Sequence, residues 1–223
     1  FYDFWLCEEI GFENENIRKL NLKESLPTNI SNLNIAILIK TKRNYSNKNL
    51  PLFGINDSAF KTFDDRPNLL TKREVRVQIL ADLELPKNGV IWDIGAGCGS
   101  IGLEAIKLRP NLDLLCIDKR IGSKELILEN SKRLGVKPKY IFEADIINTL
   151  NTRNLSSFEK PNRLIIGGCD KNTKIQIINK LAQCMSIGDI IVIPIIDIQI
   201  IKELKKELED KNFKTNLNLI QTY

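Results

Sequence analysis

The chain has 223 residues, 43% hydrophobic and 27% charged, enough for one α/β domain and a smaller companion. Its 33 Lys and Arg against 28 Asp and Glu leave a net charge of +5, which favours an anionic ligand without demanding nucleic acid. Histidine is absent, so Ser-His-Asp and Cys-His catalysis and every histidine-held metal are excluded.

The longest apolar run, 190–196, contains Pro194 and is too short to span a bilayer, and no signal peptide is visible. Cys7, Cys98, Cys116, Cys169 and Cys184 form no C-x-x-C pair, which argues against zinc and for reduced thiols in a cytoplasmic protein. Because the chain starts at Phe1 rather than Met, its true N-terminus is expected to be missing or processed.

In chain order, residues 4–7 and 34–39 read as two strands around a short helical piece, too little to form a core alone. The polar stretch 41–49 reads as a linker. Thr71 and Glu74 have the spacing of a capping box, and Val75, Ile79, Leu80 and Leu83 then follow helical periodicity. Strands are expected over 90–94, 112–117, 140–142, 163–166 and 190–195, with a last one over 216–223. Between them helices are expected over 100–108, 123–134, 173–185 and 198–208, with Gly135 as a C-cap. Apolar strands that alternate with helices imply a mostly parallel, doubly wound sheet covered on both faces, of Rossmann-like class.

The most informative stretch is Asp93-Ile94-Gly95-Ala96-Gly97-Cys98-Gly99-Ser100, which joins the first of these strands to a helix. Glycines there let backbone N–H groups approach a ligand, and the helix N-terminus points its positive end at the same place. The segment fits both D-x-G-x-G-x-G and, from Gly97 to Gly102, the dinucleotide pattern G-x-G-x-x-G. The dinucleotide register leaves Gly95 and Ala96 as surplus and sets Asp93 beside a pyrophosphate, where charges repel. A sulfonium ligand reverses that sign, which favours S-adenosylmethionine. Asp118, at the end of the second strand, then has two oxygens for the two ribose hydroxyls. Asp145 stands where a carboxylate could reach the adenine amine; an N-cap role fits it equally well.

Gly54-Ile55-Asn56-Asp57, Leu70-Thr71-Lys72-Arg73-Glu74-Val75-Arg76, the glycine loop through Glu104, and Ile166-Gly167-Gly168 occur in this order. Together they resemble the decarboxylating precorrin-6Y C5,15-methyltransferase family of cobalamin biosynthesis, over roughly residues 51–223. The resemblance implies a class I S-adenosylmethionine-dependent methyltransferase fold. It implies cofactor contacts at Thr71, Asp93, Gly95, Ala96, Gly97, Cys98, Gly99, Asp118, Ala144, Asp145 and Ile146. Gly167 and Gly168, with Arg73, Arg76 or Lys171, become candidates for the substrate side. Glu104 is a weak candidate to handle a proton, with packing or capping as its other reading.

The resemblance also makes residues 1–40 the remnant of an upstream tetrapyrrole methylase domain, 41–50 a linker, and 51–223 a methyltransferase domain lacking its last strand. The expected partner is a precorrin rather than nucleic acid or membrane, with no metal; a homo-oligomer is compatible with this reading. A methyltransferase of another substrate such as RNA, or a non-catalytic cofactor-binding module, are the alternatives. The family's longer glycine run is replaced here by Cys169-Asp170-Lys171, and its polar segment after the fifth strand by Pro194-Ile195-Ile196-Asp197.

Overall fold

The computed structural model describes residues 2–21, 27–40, 50–152 and 158–221. The chain divides into two units, residues 1–45 and 46–223. In the first, β1 (Tyr2–Glu8), β2 (Asn16–Leu20) and β3 (Asn34–Lys40) form an antiparallel sheet in the order β2-β1-β3. Between the two expected strands there is thus a third strand where a helical piece was expected. Glu8 accounts for it: its carboxylate, 5% exposed, holds Arg18 at 2.8 Å and the Ser31 N–H at 2.9 Å, tying β2 and the approach to β3 onto β1. The expected linker lies, save for Leu50, outside the described residues.

The second unit carries a five-stranded parallel sheet of β4 (Gly89–Ile94), β5 (Leu112–Asp118), β6 (Tyr140–Glu143), β7 (Arg163–Ile166) and β8 (Ile190–Val192). Their order is β6-β5-β4-β7-β8. The helices are α1 (Arg73–Asp82), α2 (Ser100–Leu108), α3 (Ser123–Leu134), α4 (Ile146–Thr152), α5 (Lys171–Leu181) and α6 (Ile201–Glu209). Alternation along each strand sends side chains to both faces. Trp92, Ile94, Leu115, Ile117, Leu164 and Ile166 pack with Ile177, Ile178, Leu181 and Leu204 of α5 and α6. On the opposite face Asp93 meets the first turn of α2. Each Ile or Leu buried in this way contributes roughly 1.5–3 kcal/mol.

Several ends differ from expectation. The capping box at Thr71 does not form: Lys72 is the N-cap of α1 and makes no side-chain cap bond. The Thr71 carbonyl instead accepts from Arg76 Nη1 at 2.6 Å, so an internal guanidinium fastens this turn. α5 starts earlier than expected because Asp170 caps it, accepting from the Thr173 N–H at 3.0 Å. It stops at Leu181 and continues as a 3-10 turn, Ala182–Cys184. β8 ends at Val192, two residues short of Pro194, which cannot donate to a ladder. No strand forms over 214–221, where Leu217 and Leu219 are 70% and 90% exposed and find no apolar surface to cover.

Candidate active site

The chain runs from β4 outward to β5 and β6, then returns to place β7 on the other side of β4. This reversal opens a crevice beyond the C-terminal ends of β4 and β7, the usual ligand position in such sheets. The crevice is kept narrow by backbone alone. A Cβ added to Gly95 would lie 3.0 Å from the Gly167 carbonyl carbon and 3.2 Å from the Gly168 nitrogen. The Gly167 N–H donates to the Ile94 carbonyl at 2.8 Å, closing the seam.

Most of the loop is held by its own hydrogen bonds. Gly95 and Ala96 N–H both donate to the Ile117 carbonyl, at 2.9 and 3.2 Å, and Gly99 N–H donates to the Ala96 carbonyl at 2.8 Å. These N–H groups are therefore not aimed at a ligand, as the sequence reading had them. Gly97 adopts a left-handed φ of 58°, and a Cβ there would meet nothing within 4 Å. It is the point where the loop faces open space. Cys98 is buried, and its carbonyl accepts from Asn130 of α3 at 2.9 Å.

Asp118 closes the loop from β5. Its Oδ2 accepts from the Gly97 N–H at 2.7 Å and its Oδ1 from the Arg120 N–H at 2.9 Å. A carboxylate has about four acceptor positions, so both oxygens retain capacity for hydroxyl donors. Asp118 lines an open cleft together with Gly95, Ala144, Asp145, Ile146, Gly168 and Cys169. Asp145 lines the cleft, and its Oδ1 accepts from the Asn148 N–H at 3.0 Å at the start of α4, in keeping with the N-cap reading. Lys119, Arg120 and Thr173 also line the cleft and were not singled out from sequence. Their signal was position, since Lys119 and Arg120 directly follow the strand-end acid.

Other candidates sit elsewhere. Asp93, 1% exposed, turns its Oδ2 to the Gly102 N–H at 3.0 Å and does not line the cleft. Burial raises its pKa to about 7, against the Gly102 hydrogen bond and with a smaller push from the charge of Asp118. Thr71 does not line the cleft either.

Glu104 and Arg76 are both 0% exposed and form a buried ion pair, Nε to Oε2 at 2.7 Å. Glu104 Oε1 also accepts from the Gly54 and Ile55 N–H groups at 2.7 and 3.1 Å. Arg76 further reaches Asp57 at 3.1 Å and the Ile55 carbonyl. Glu104 is thus no proton carrier and Arg76 no anion site at a cleft mouth. Together they fasten residues 54–57 to α1 and α2. Arg73 is exposed and donates from Nε to the Gly54 carbonyl at 2.7 Å, and Lys171 pairs with Glu203 at 3.0 Å.

The parallel sheet, its reversal point and a glycine turn facing a strand-end carboxylate define a Rossmann-like methyltransferase. The fold is shared with a precorrin-6Y C5,15-methyltransferase structure from Geobacter metallireducens, at a TM-score of 0.64 and 28% identity over 74% of this chain and 83% of that one. A family model described as a precorrin methyltransferase domain matches residues 61–213. The chain belongs to the precorrin methyltransferase family. Among curated relatives, a "Probable cobalt-precorrin-6B C(15)-methyltransferase (decarboxylating)" from Saccharolobus solfataricus is 31% identical over 75% of this chain and 81% of its own length. A "Precorrin-6Y C(5,15)-methyltransferase [decarboxylating]" from Sinorhizobium sp is 31% identical over 53% of this chain, a match spanning 27% of that protein.

Proposed function

We propose that this chain methylates carbon 15 of a precorrin-6-type tetrapyrrole, with loss of carbon dioxide from the acetate at carbon 12, in cobalamin biosynthesis. S-adenosylmethionine is the proposed cofactor. The observation that carries the reading is the cleft at the sheet's reversal point, lined by Asp118, whose carboxylate also holds the glycine turn at the Gly97 N–H, in a chain of this family.

The cleft suits that cofactor chemically. Asp118 would hold the ribose hydroxyls and Asp145 the adenine amine, with Ile146 beside the adenine ring. The open face at Gly97 leaves room for the amino acid portion. When bound, the cofactor supplies a methyl group already activated on a positive sulfur, with a neutral leaving group.

The chain's own residues then have a limited task. They align the two reactants, exclude water and hold the loop in shape before binding. A ring carbon with enamine character is a sufficient nucleophile, so no strong base is required, consistent with a chain that has no histidine. The electrons freed by decarboxylation pass into the conjugated ring. A polycarboxylate substrate also suits the charge of +5, with Lys119 and Arg120 at the cleft.

Residues 1–40 lie outside the family match, and we read them as derived from an upstream tetrapyrrole methylase domain. The five unpaired thiols, Cys7, Cys98, Cys116, Cys169 and Cys184, fit a cytoplasmic setting.

The test is incubation with labelled S-adenosylmethionine and a precorrin-6-type substrate, followed by mass spectrometry. Gain of one methyl and loss of one carbon dioxide are expected. An unchanged substrate mass overturns the reading.

A further inference from the structure

Lys174, on the first turns of α5, is 4% exposed. Its Nζ donates to the Ile166 and Gly167 carbonyls, each at 3.0 Å. Burying an ammonium costs several kcal/mol, and an apolar side chain would fill the same space without that penalty. The lysine must therefore do something that packing alone would not.

Its two acceptors locate the task. Ile166 is the last residue of β7, and on the β8 side the ladder stops one residue earlier, at Ile165 paired with Val192. Beyond that point the Lys174 ammonium gives both carbonyls a donor, and the Gly167 carbonyl also accepts from the Cys169 N–H. They also belong to the seam where Gly167 and Gly168 lie against Gly95 with no side chain between them. Gly168 and Cys169 continue from there into the cleft wall. A small shift at this edge therefore passes directly to the glycine loop. Asp170 fixes the other end, because it caps α5 and its carbonyl accepts the Lys174 N–H at 3.0 Å. Burial lowers the Lys174 pKa, against the neighbouring Cys169 and Asp170.

We infer that Lys174 is a positioning residue for methyl transfer: its ammonium clamps the end of β7 so that the Gly167–Gly168 edge holds the width of the cleft. The order of strands puts Asp145, Asp118, Gly95 and Gly168 in sequence along the sheet edge. With the nucleoside at the first two, the clamped edge flanks the end of the cleft where the methyl acceptor enters. This inference rests on the proposed methyltransferase reading.

The experiment compares the full chain with Lys174→Met and Lys174→Arg. Three readouts are taken: steady-state kinetics with a precorrin-6-type substrate, calorimetric binding of S-adenosylmethionine, and hydrogen exchange over residues 166–173. Lys174→Met is expected to lower kcat about tenfold, the order expected for misplaced reactants. Cofactor affinity should change far less than kcat. Exchange should accelerate over 166–173 but not over β4 and β5, and Lys174→Arg should restore most of both losses.

Unchanged kcat and exchange in Lys174→Met would overturn the inference. So would faster exchange throughout the domain that Lys174→Arg does not rescue, since that marks a merely structural role. If the unaltered chain binds cofactor yet transfers no methyl, the functional reading has failed. The exchange comparison then decides the clamp alone: local acceleration upholds it and wild-type exchange overturns it.

Discussion

Two aspartates of the same motif region have opposite environments, and their substitutions should separate cleanly. Asp118 faces the cleft, and removing its carboxylate costs charge-assisted hydrogen bonds worth about 1.5–3 kcal/mol each. Asp118→Ala should therefore weaken S-adenosylmethionine binding at least about tenfold by calorimetry. Asp93 is sealed beneath α2 and holds its proton up to a pH of about 7, whereas the unfolded chain releases it near 3.8. Between those values the folded state binds more protons, so this group's contribution to stability falls as pH rises and is fully lost above about 7. Asp93→Asn removes the titration while keeping an acceptor for Gly102. Denaturant titrations should show the variant gaining roughly 2–3 kcal/mol on the parent between about pH 5 and pH 8. The sequence placed both acids beside the ligand, Asp93 because it opens the glycine motif and Asp118 because it ends the second strand. It could not register that Asp93 lies inside β4, where the first turn of α2 covers it, whereas Asp118 is the last residue of β5 at the sheet edge.

At the scale of elements, the glycine turn was legible because its signal is local: an apolar strand, closely spaced glycines, then a helical repeat. The roles of the individual glycines were not, because they depend on what lies across from each. A Cβ on Gly102 would lie 2.8 Å from Leu114 and 2.9 Å from Asp93 Oδ2, whereas one on Gly97 would meet nothing. Gly102→Ala should accordingly destabilise the fold by about 1–3 kcal/mol through overpacking. Gly97→Ala should cost about 1 kcal/mol of backbone strain and yet reduce cofactor affinity more than Gly102→Ala does. Thermal melts paired with binding titrations separate the two effects. Arg76 was misread for a related reason, while Glu104 took the packing or capping reading rather than the proton-handling one. A charged residue on a helix reads as solvated unless its partner is known, and here the partner lies 28 residues away. Glu104→Gln removes the buried counterion of Arg76, leaves it with the partly exposed Asp57 alone, and should cost about 3–5 kcal/mol in a denaturation experiment.

At the scale of the whole molecule, every residue that lines the cleft belongs to the unit spanning 46–223. A chain starting at residue 46 should therefore bind S-adenosylmethionine within about threefold of the full-length affinity, a shift below 1 kcal/mol. The alternation of helices and strands in this unit was readable because each strand is apolar on both faces. The first unit was harder: β2 holds Asn16, Arg18 and Lys19, a composition that does not announce a strand. Its pairing depends on contacts from Glu8 to Asn16 and Arg18, charge and amide contacts that hydrophobic periodicity does not reveal.

The contact between Gly95 and the Gly167–Gly168 pair has a consequence for how such enzymes diversify. Where two main chains touch with no side chain between them, selection has nothing to trim or enlarge. Differences in what is accepted for methylation must be written beside the seam, at Lys119, Cys169 and Asp170, since any side chain added at Gly95 would press on the main chain opposite.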